Sequence, residues 1–220
     1  MVSRAVMHAA LLPVKSLARA KSRLRDHFSD EDRIEIARAL FEDALELCAA
    51  ADFLTWWVVS DDADVLGQAA RRDLNTLTDA GAGLNAALRH AVARLRAEGA
   101  QSFTIVPADV PLAYRGDLVD LLDTGATSDI VVVPSRSDGG TNALHLGEAG
   151  LIDPQFGPGS LRAHVGLAEA RKLRCSILSL PRLELDIDTI EDVDAFLAAP
   201  RHAPTRTAAV LERLRGPSSP

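Results

Sequence analysis

Cysteine is nearly absent from this chain: Cys48 and Cys175 are the only two in 220 residues. Isolated from each other, they fit neither a disulfide framework nor a zinc-ligand spacing, and both are expected in or near the core. No apolar run approaches the ~20 residues that a membrane span needs. The amino terminus lacks the apolar segment and cleavage site of a secretory signal, so a reducing cytoplasm is the expected setting. There is no GxxxxGK[ST] loop and no GxGxxG with a following acidic residue, which removes the Walker and dinucleotide fingerprints. No internal repeat is visible. Broad positive charge is missing too. The formal net charge is −7, which argues against general nucleic-acid binding or adhesion to anionic membranes.

What is present suffices for a folded domain: 47% of the residues are hydrophobic and 25% charged, enough to bury a core and stay soluble. One domain is expected over residues 1–199, followed by a C-terminal tail over 200–220, a frayed or a docking segment. There Pro200, Pro204, Pro217 and Pro220 flank a short candidate helix, "TAAVLERLR". Strands are expected at 6–14, 53–60, 74–78, 102–109, 129–135, 141–146 and 175–180, from near-continuous or alternating apolar runs. Helices are expected at 30–50, 64–72, 84–98, 116–122, 161–172 and 189–199. Ser29 can cap the first helix, with Asp30, Glu31 and Asp32 in its opening turn, where the helix dipole favours negative charge. Strands alternating with helices of this size predict an α/β fold, a mixed but mostly parallel sheet with helices on both faces. In such a sheet ligands sit beyond the carboxyl ends of the strands, so the polar segments after the strands are where chemistry is expected.

The first of these is the most unusual. "LLPVKSLARAKSRL" (11–24) leaves its strand into Lys15, Arg19, Lys21, Arg23 and Arg25, with no acidic residue before Asp26. A triphosphate carries about four negative charges near neutrality, and Lys15, Lys21 and Arg23 on an exposed loop could wrap it; the alternative is a solvated surface loop. "TDAGAGLNAAL" (78–88) reads, taken alone, as a strand-to-helix turn, although Gly81 and Gly83 would let backbone N–H groups approach a ligand closely.

Carboxylates follow at two strand ends. "IVPADVPL" (105–112) fixes Asp109 between two prolines after an apolar run, a good position for a magnesium ligand or, equally, for an Asx turn or helix cap. In "ELDIDT" (184–189), Asp186 and Asp188 alternate with Leu185 and Ile187. At strand period both carboxylates share one face and repel unless a cation lies between them. With Asp109 they make a candidate two-metal site for phosphoryl chemistry. Helix capping by Asp188 or Thr189 is the competing explanation, and it leaves Asp186 unexplained. "DGGTNALHL" (138–146) and "QFGPGSLRAH" (155–164) lead glycines and hydroxyls into a strand or a helix. Ser160 is the expected N-cap, and the helix start with Gly157, Gly159 and Ser160 suits a small anion. His145 and His164 are read as structural.

Six of these segments, "LLPVKSLARAKSRL", "TDAGAGLNAAL", "VPADVPL", "DGGTNAL", "FGPGSLRAH" and "LDIDTIEDV", stand in an order that resembles the guanylyltransferases of deazaflavin coenzyme F-420 biosynthesis, over about residues 8–199. The resemblance implies a single-domain, GT-A-like and Rossmann-like nucleotidyltransferase fold. It also implies a reaction in which GTP and a phosphorylated three-carbon acid give a guanylyl-linked product and pyrophosphate. Asp109, Asp186 and Asp188 would hold Mg2+, two ions by expectation, and Lys15 would join them in the catalytic set. Lys15, Lys21 and Arg23 would hold the GTP phosphates, with Gly81, Gly83 and Asn85 completing the nucleotide site. Thr141, Gly157 and Ser160 would contact the acceptor acid. An Ala- and Arg-rich composition suggests a GC-rich bacterial genome, which favours phosphoenolpyruvate as acceptor over 2-phospho-L-lactate or 3-phosphoglycerate. A homodimer, or hand-over of product to the next enzyme of the pathway, is the expected association. Two rivals remain. Sugar-phosphate and molybdopterin nucleotidyltransferases usually begin with a Gly-rich loop, and "PVKSLARAKSR" has no glycine. A nucleotide-binding module without turnover would not need all three carboxylates.

Overall fold

The structure, a computed structural model, describes residues 7–79 and 83–216. Seven strands form one sheet, β1 (Met7–Pro13), β2 (Thr55–Ser60), β3 (Asn75–Thr78), β4 (Ala100–Ile105), β5 (Ile130–Pro134), β6 (Thr141–Leu146) and β7 (Cys175–Ile177), in the order β3-β2-β1-β4-β6-β5-β7. The helices are α1 (Asp30–Ala50), α2 (Ala63–Ala70), α3 (Leu84–Ala97), α4 (Arg115–Gly125), α5 (Ser160–Ala170), α6 (Ile190–Ala198) and α7 (Arg206–Arg215). β6 runs antiparallel to both β4 and β5, while β1, β2, β3 and β4 pair in parallel, as do β5 and β7. The reversal has a local cause. Only residues 135–140 separate β5 from β6, too few for a crossover, so the chain turns back through Gly139 at φ 66° and pairs antiparallel.

Alternate residues of β1 enter two different cores. Ala10 and Leu12 pack with α1 residues Phe41, Ala44 and Leu45 on one side of the sheet. Ala9 and Leu11 pack with α3 residues Leu88, Ala91 and Leu95 on the other. This is the pattern of a strand buried on both faces, and it accounts for the near-continuous apolar run. α1 begins as expected: the Ser29 hydroxyl accepts from the Asp32 N–H at 3.1 Å, and the Asp32 carboxylate accepts from the Ser29 N–H at 3.2 Å, a reciprocal cap.

One expectation needs revision. The segment 185–188 is not a sheet strand. Leu185 and Ile187 are buried and Asp186 and Asp188 are not, so the alternation holds, but the segment is extended chain outside the seven strands. In the C-terminal segment expected to be a tail, α7 places Ala208 and Leu211 in a third cluster with Ile36 and Leu40 of α1 and Phe196 of α6. The Asp43 carboxylate on α1 accepts from the Arg206 and Thr207 N–H groups at 2.8 and 2.9 Å, which satisfies two of the orphan donors at the start of α7.

Candidate active site

β1 lies between β2 and β4, so the loops after β1 and β4 leave adjacent parallel strands at the same sheet edge. The loop after β1 makes two short 3-10 turns, 17–19 and 22–24. Arg33 of α1 holds it by donating to the Ala20 carbonyl at 3.3 Å. Between the turns Lys21 adopts a left-handed backbone, φ 54° and ψ 37°, which costs a non-glycine residue about 1–2 kcal/mol. That conformation delivers its ammonium to Asp109 and Asp188, at 3.0 Å from each. The Lys21 side chain is only 8% exposed, so it is not the solvent-facing cation expected of this loop. Burial alone would pull its ammonium down, but the attraction of Asp109 and Asp188 and the hydrogen bonds to both outweigh it and hold the group above its usual value.

The carboxylates meet because the chain stitches their backbones together. The Val106 N–H donates to the Leu11 carbonyl at 3.0 Å, which carries the chain off β4 beside β1, and the Ile187 N–H donates to the Asp109 carbonyl at 3.0 Å. Asp109, Asp186 and Asp188 thereby offer oxygens that all lie within 4.8 Å of one another. Asp186 is held by the Ser135 hydroxyl at 3.1 Å and the Asn142 amide at 2.9 Å. Burial pushes its carboxyl up, the Asn142 hydrogen bond opposes this, and the negative charges of Asp109 and Asp188 add to the rise. Three hard oxygen donors with a cation already drawn between two of them suit Mg2+ or Mn2+. Asn142 and Ser135 were not singled out by the sequence. A polar residue inside a six-residue strand, every position of which is buried, was the available signal for Asn142.

The remaining cations divide. Arg23 approaches Asp188 at 3.5 Å, and Arg19 pairs with Asp61 at 2.6 Å. Lys15 is exposed and makes no ion pair among the described residues. Lys15, Lys21 and Arg23 line a cleft of ≈ 660 Å³ together with Gly83, Asp109 and Asp188. Gly83 begins α3 at φ 90° with open space where a Cβ would stand. Gly81 lies outside the described residues. Asn85, expected on the nucleotide, has its amide on the backbone of Phe156 instead: its Oδ1 accepts at 2.7 Å and its Nδ2 donates at 3.0 Å. It ties the start of α3 to the glycine loop that precedes α5.

Thr141, Gly157 and Ser160 form a second group around the start of α5. The N-cap there is Gly159, in the left-handed region at φ 72°, not Ser160, which is the first helical residue. The Ser160 hydroxyl therefore does not cap the helix; it donates to the Thr141 hydroxyl at 3.1 Å. Gly157 has φ 129°, and no atom lies within 4 Å of the point where a side chain would begin. The two groups are joined through β6, where Thr141 and Asn142 are neighbours and Asn142 holds Asp186. Both histidines read as structural are buried and hydrogen-bonded: His145 to Thr104 at 3.0 Å and His164 to Thr141 at 3.0 Å.

Comparison with solved structures finds the same fold in other proteins. A protein from Desulfovibrio desulfuricans G20 assigned to the nucleotide-diphospho-sugar transferases superposes with a TM-score of 0.79 at 16% identity, covering 96% of this chain and 97% of its own. The 4-diphosphocytidyl-2C-methyl-D-erythritol synthase of Anaerococcus prevotii gives 0.62 at 11% identity, covering 94% and 97%. At such identities the likeness is one of fold. Sequence relatives are closer. A phosphoenolpyruvate guanylyltransferase of Sphaerobacter thermophilus is 35% identical over 89% of this chain and 93% of its own. A 3-phospho-D-glycerate guanylyltransferase of Phenylobacterium zucineum is 32% identical over 95% and 97%. A 2-phospho-L-lactate guanylyltransferase of Methanocaldococcus vulcanius is 30% identical over 83% and 81%. These relatives share the transfer and differ in the acceptor. The CofC-like guanylyl transferase family matches residues 8–214, a span that holds the acidic cluster, the basic loop and both glycine segments, and the chain belongs to that family.

Proposed function

We propose that this enzyme transfers the guanylyl group of GTP to phosphoenolpyruvate, releasing pyrophosphate and giving enolpyruvyl-diphospho-guanosine for coenzyme F-420 biosynthesis. The observation that carries the reading is the convergence of Asp109, Asp186 and Asp188 on one point beside a basic loop, at the edge where β1 and β4 end. An acceptor phosphate oxygen attacks the α-phosphorus of GTP. One P–O bond forms as the bond to the departing pyrophosphate breaks. A phosphate monoester has its second pKa near ~6, so the nucleophile is already ionised at neutral pH and no general base is needed. This suits a site whose nearest groups are carboxylates and cations.

The chain's own residues position and neutralise. Lys15 and Arg23 reach into the cleft from the loop and hold the triphosphate. The start of α3 at Gly83 offers close backbone approach to it. Thr141, Ser160 and the open backbone at Gly157 hold the acid. Asp109, Asp186 and Asp188 would hold Mg2+, two ions when GTP is bound, and the metal's contribution is to offset charge on the α-phosphate and on the leaving pyrophosphate. Phosphoenolpyruvate is preferred as acceptor on the name of the relative with 35% identity. The test is pyrophosphate release from GTP with and without acid and divalent ion. Release that needs both is expected. GTP binding without release under any combination would leave a nucleotide-binding module.

A further inference from the structure

Thr141, Ser160 and His164 are each at least nine-tenths buried, at 5%, 3% and 0% exposure, and they form one hydrogen-bonded line. Ser160 and His164 are four residues apart on α5, so their side chains lie on the same face. The ring of His164 touches two further parts of the site. Its Nδ1 is 3.0 Å from Thr141 Oγ1, and its Nε2 is 2.9 Å from the backbone nitrogen of Gln155. Phe156 packs edge-on against it, with ring centroids 5.7 Å apart.

A backbone N–H can only donate, so His164 Nε2 must be bare. Burial pushes the ring down to about 4, so it is neutral at pH 7, and its one proton is on Nδ1. Nδ1–H then donates to Thr141. Three hydrogens, on Nδ1, Thr141 and Ser160, now serve two internal contacts, His164 to Thr141 and Thr141 to Ser160. One hydrogen is left over, and it belongs to a hydroxyl rather than to the ring. With the other tautomer Thr141 would have to donate into Nδ1, no hydroxyl hydrogen would be in excess, and two N–H groups would collide at Gln155.

We propose that His164 is a positioning residue for the acceptor acid: by holding the Nδ1–H form between Gln155 and Thr141, it fixes Thr141 as an acceptor and so aims the spare hydrogen of the Thr141–Ser160 pair at an anionic oxygen. The inference rests on the reading that these two hydroxyls contact the acid. It gives the ring a role in acceptor recognition without contact with either substrate. It also explains a buried histidine inside "FGPGSLRAH" by something other than packing. Glutamine should replace it in part, because an amide also carries one acceptor and one donor separated by a single carbon.

The experiment compares His164→Leu, His164→Gln and Thr141→Val by KM for phosphoenolpyruvate, kcat, and GTP affinity by direct titration. The Leu variant keeps one spare hydroxyl hydrogen but loses the ring N–H that anchors Thr141 and aims it, so the acid KM should rise about three- to tenfold, the scale of one net hydrogen bond. GTP affinity should stay within about twofold, and the Gln variant should recover most of the loss. An unchanged acid KM in His164→Leu with a raised one in Thr141→Val overturns the positioning role alone. Unchanged acid KM in Thr141→Val overturns the acid subsite and the inference with it. Loss of GTP affinity equal to the loss for the acid marks a structural role and overturns the proposal. Should the Leu variant not fold, 15N spectra of the wild-type ring decide: an Nδ1–H ring whose shifts move when phosphoenolpyruvate is added is expected, and an Nε2–H ring contradicts it.

Discussion

Lys21 and Asp186 show how individual residues at the site trade stability for charge. Without a divalent ion, three carboxylates share one small volume and, among the described residues, Lys21 alone lies between two of them. Asp186 has its carboxyl raised above its unfolded value, chiefly by burial. The sign follows from linkage: a carboxylate raised on folding contributes stability below its unfolded pKa and loses it as pH rises through the folded value. Once ionised, Asp186 is therefore a burden on the metal-free protein. Asp186→Asn, which keeps an oxygen to accept from Ser135 and Asn142, should melt in EDTA at or above the wild-type temperature while turnover falls about 100-fold or more, the scale of a lost transition-state contact. A lower melting temperature would show that the charge is compensated. The two lysines separate in the same assay. Lys15→Ala removes an exposed cation and should leave melting unchanged while weakening GTP binding. Lys21→Met removes the partner of two carboxylates. Breaking a buried pair costs about 3–5 kcal/mol; because the two carboxylates are 30% and 37% exposed, about 1–2 kcal/mol is expected here, or about 2–8 °C in a chain of this size. Equal melting of the two lysine variants would contradict the burial of Lys21.

At the scale of elements, much was legible. The capping of α1 by Ser29, the two-sided burial of β1 and the order of strands and helices follow from periods and caps that neighbours in sequence impose. So did the common face of Asp186 and Asp188, since burial alternates with Leu185 and Ile187 even though no ladder forms there. What could not be read depends on partners far along the chain. Lys21 looked like a solvent-facing cation because nothing near it in sequence says that Asp109 and Asp188 will reach it. Asn142 and Ser135 find Asp186 only once the β5–β6 turn and the 185–188 segment lie together. Asn85 finds Phe156 only once α3 meets the loop before α5. α7 is the clearest case, a helix whose value lies in what it covers. Leu211 is fully buried against α1 and α6, so Leu211→Ala should cost about 2–5 kcal/mol, the range for emptying a core site. Turnover at a permissive temperature should stay near wild type, because α7 lines no part of the cleft. A stability within about 0.5 kcal/mol of wild type, the scatter of neutral surface changes, would mean that the helix is not docked.

For the whole molecule, an acidic chain keeps a small cationic region at one sheet edge and sets its own carboxylates against it, so the site is nearly self-neutralised before any ligand arrives. The fold is correspondingly sensitive to acid elsewhere. Burial pushes His145 and His164 down to about 4, so both are neutral in the folded state and protonate more readily when unfolded. Stability present above about 6.5 should fall as pH drops from there to about 4, seen as a decline in urea midpoint; a flat midpoint over that window would contradict the burial of both rings. The family shows guanylyl transfer, while phosphoenolpyruvate and 2-phospho-L-lactate differ chiefly in shape around a single carbon, and differences of that size are worth only ~1–3 kcal/mol. Competition therefore tests the central claim most directly: phosphoenolpyruvate, 2-phospho-L-lactate and 3-phosphoglycerate at equal concentration with GTP and Mg2+, the guanylyl products resolved by mass. The account predicts the enolpyruvyl product in clear excess, with measurable leakage to phospholactate; an excess of either other product, or no guanylyl product from any of the three, would contradict it.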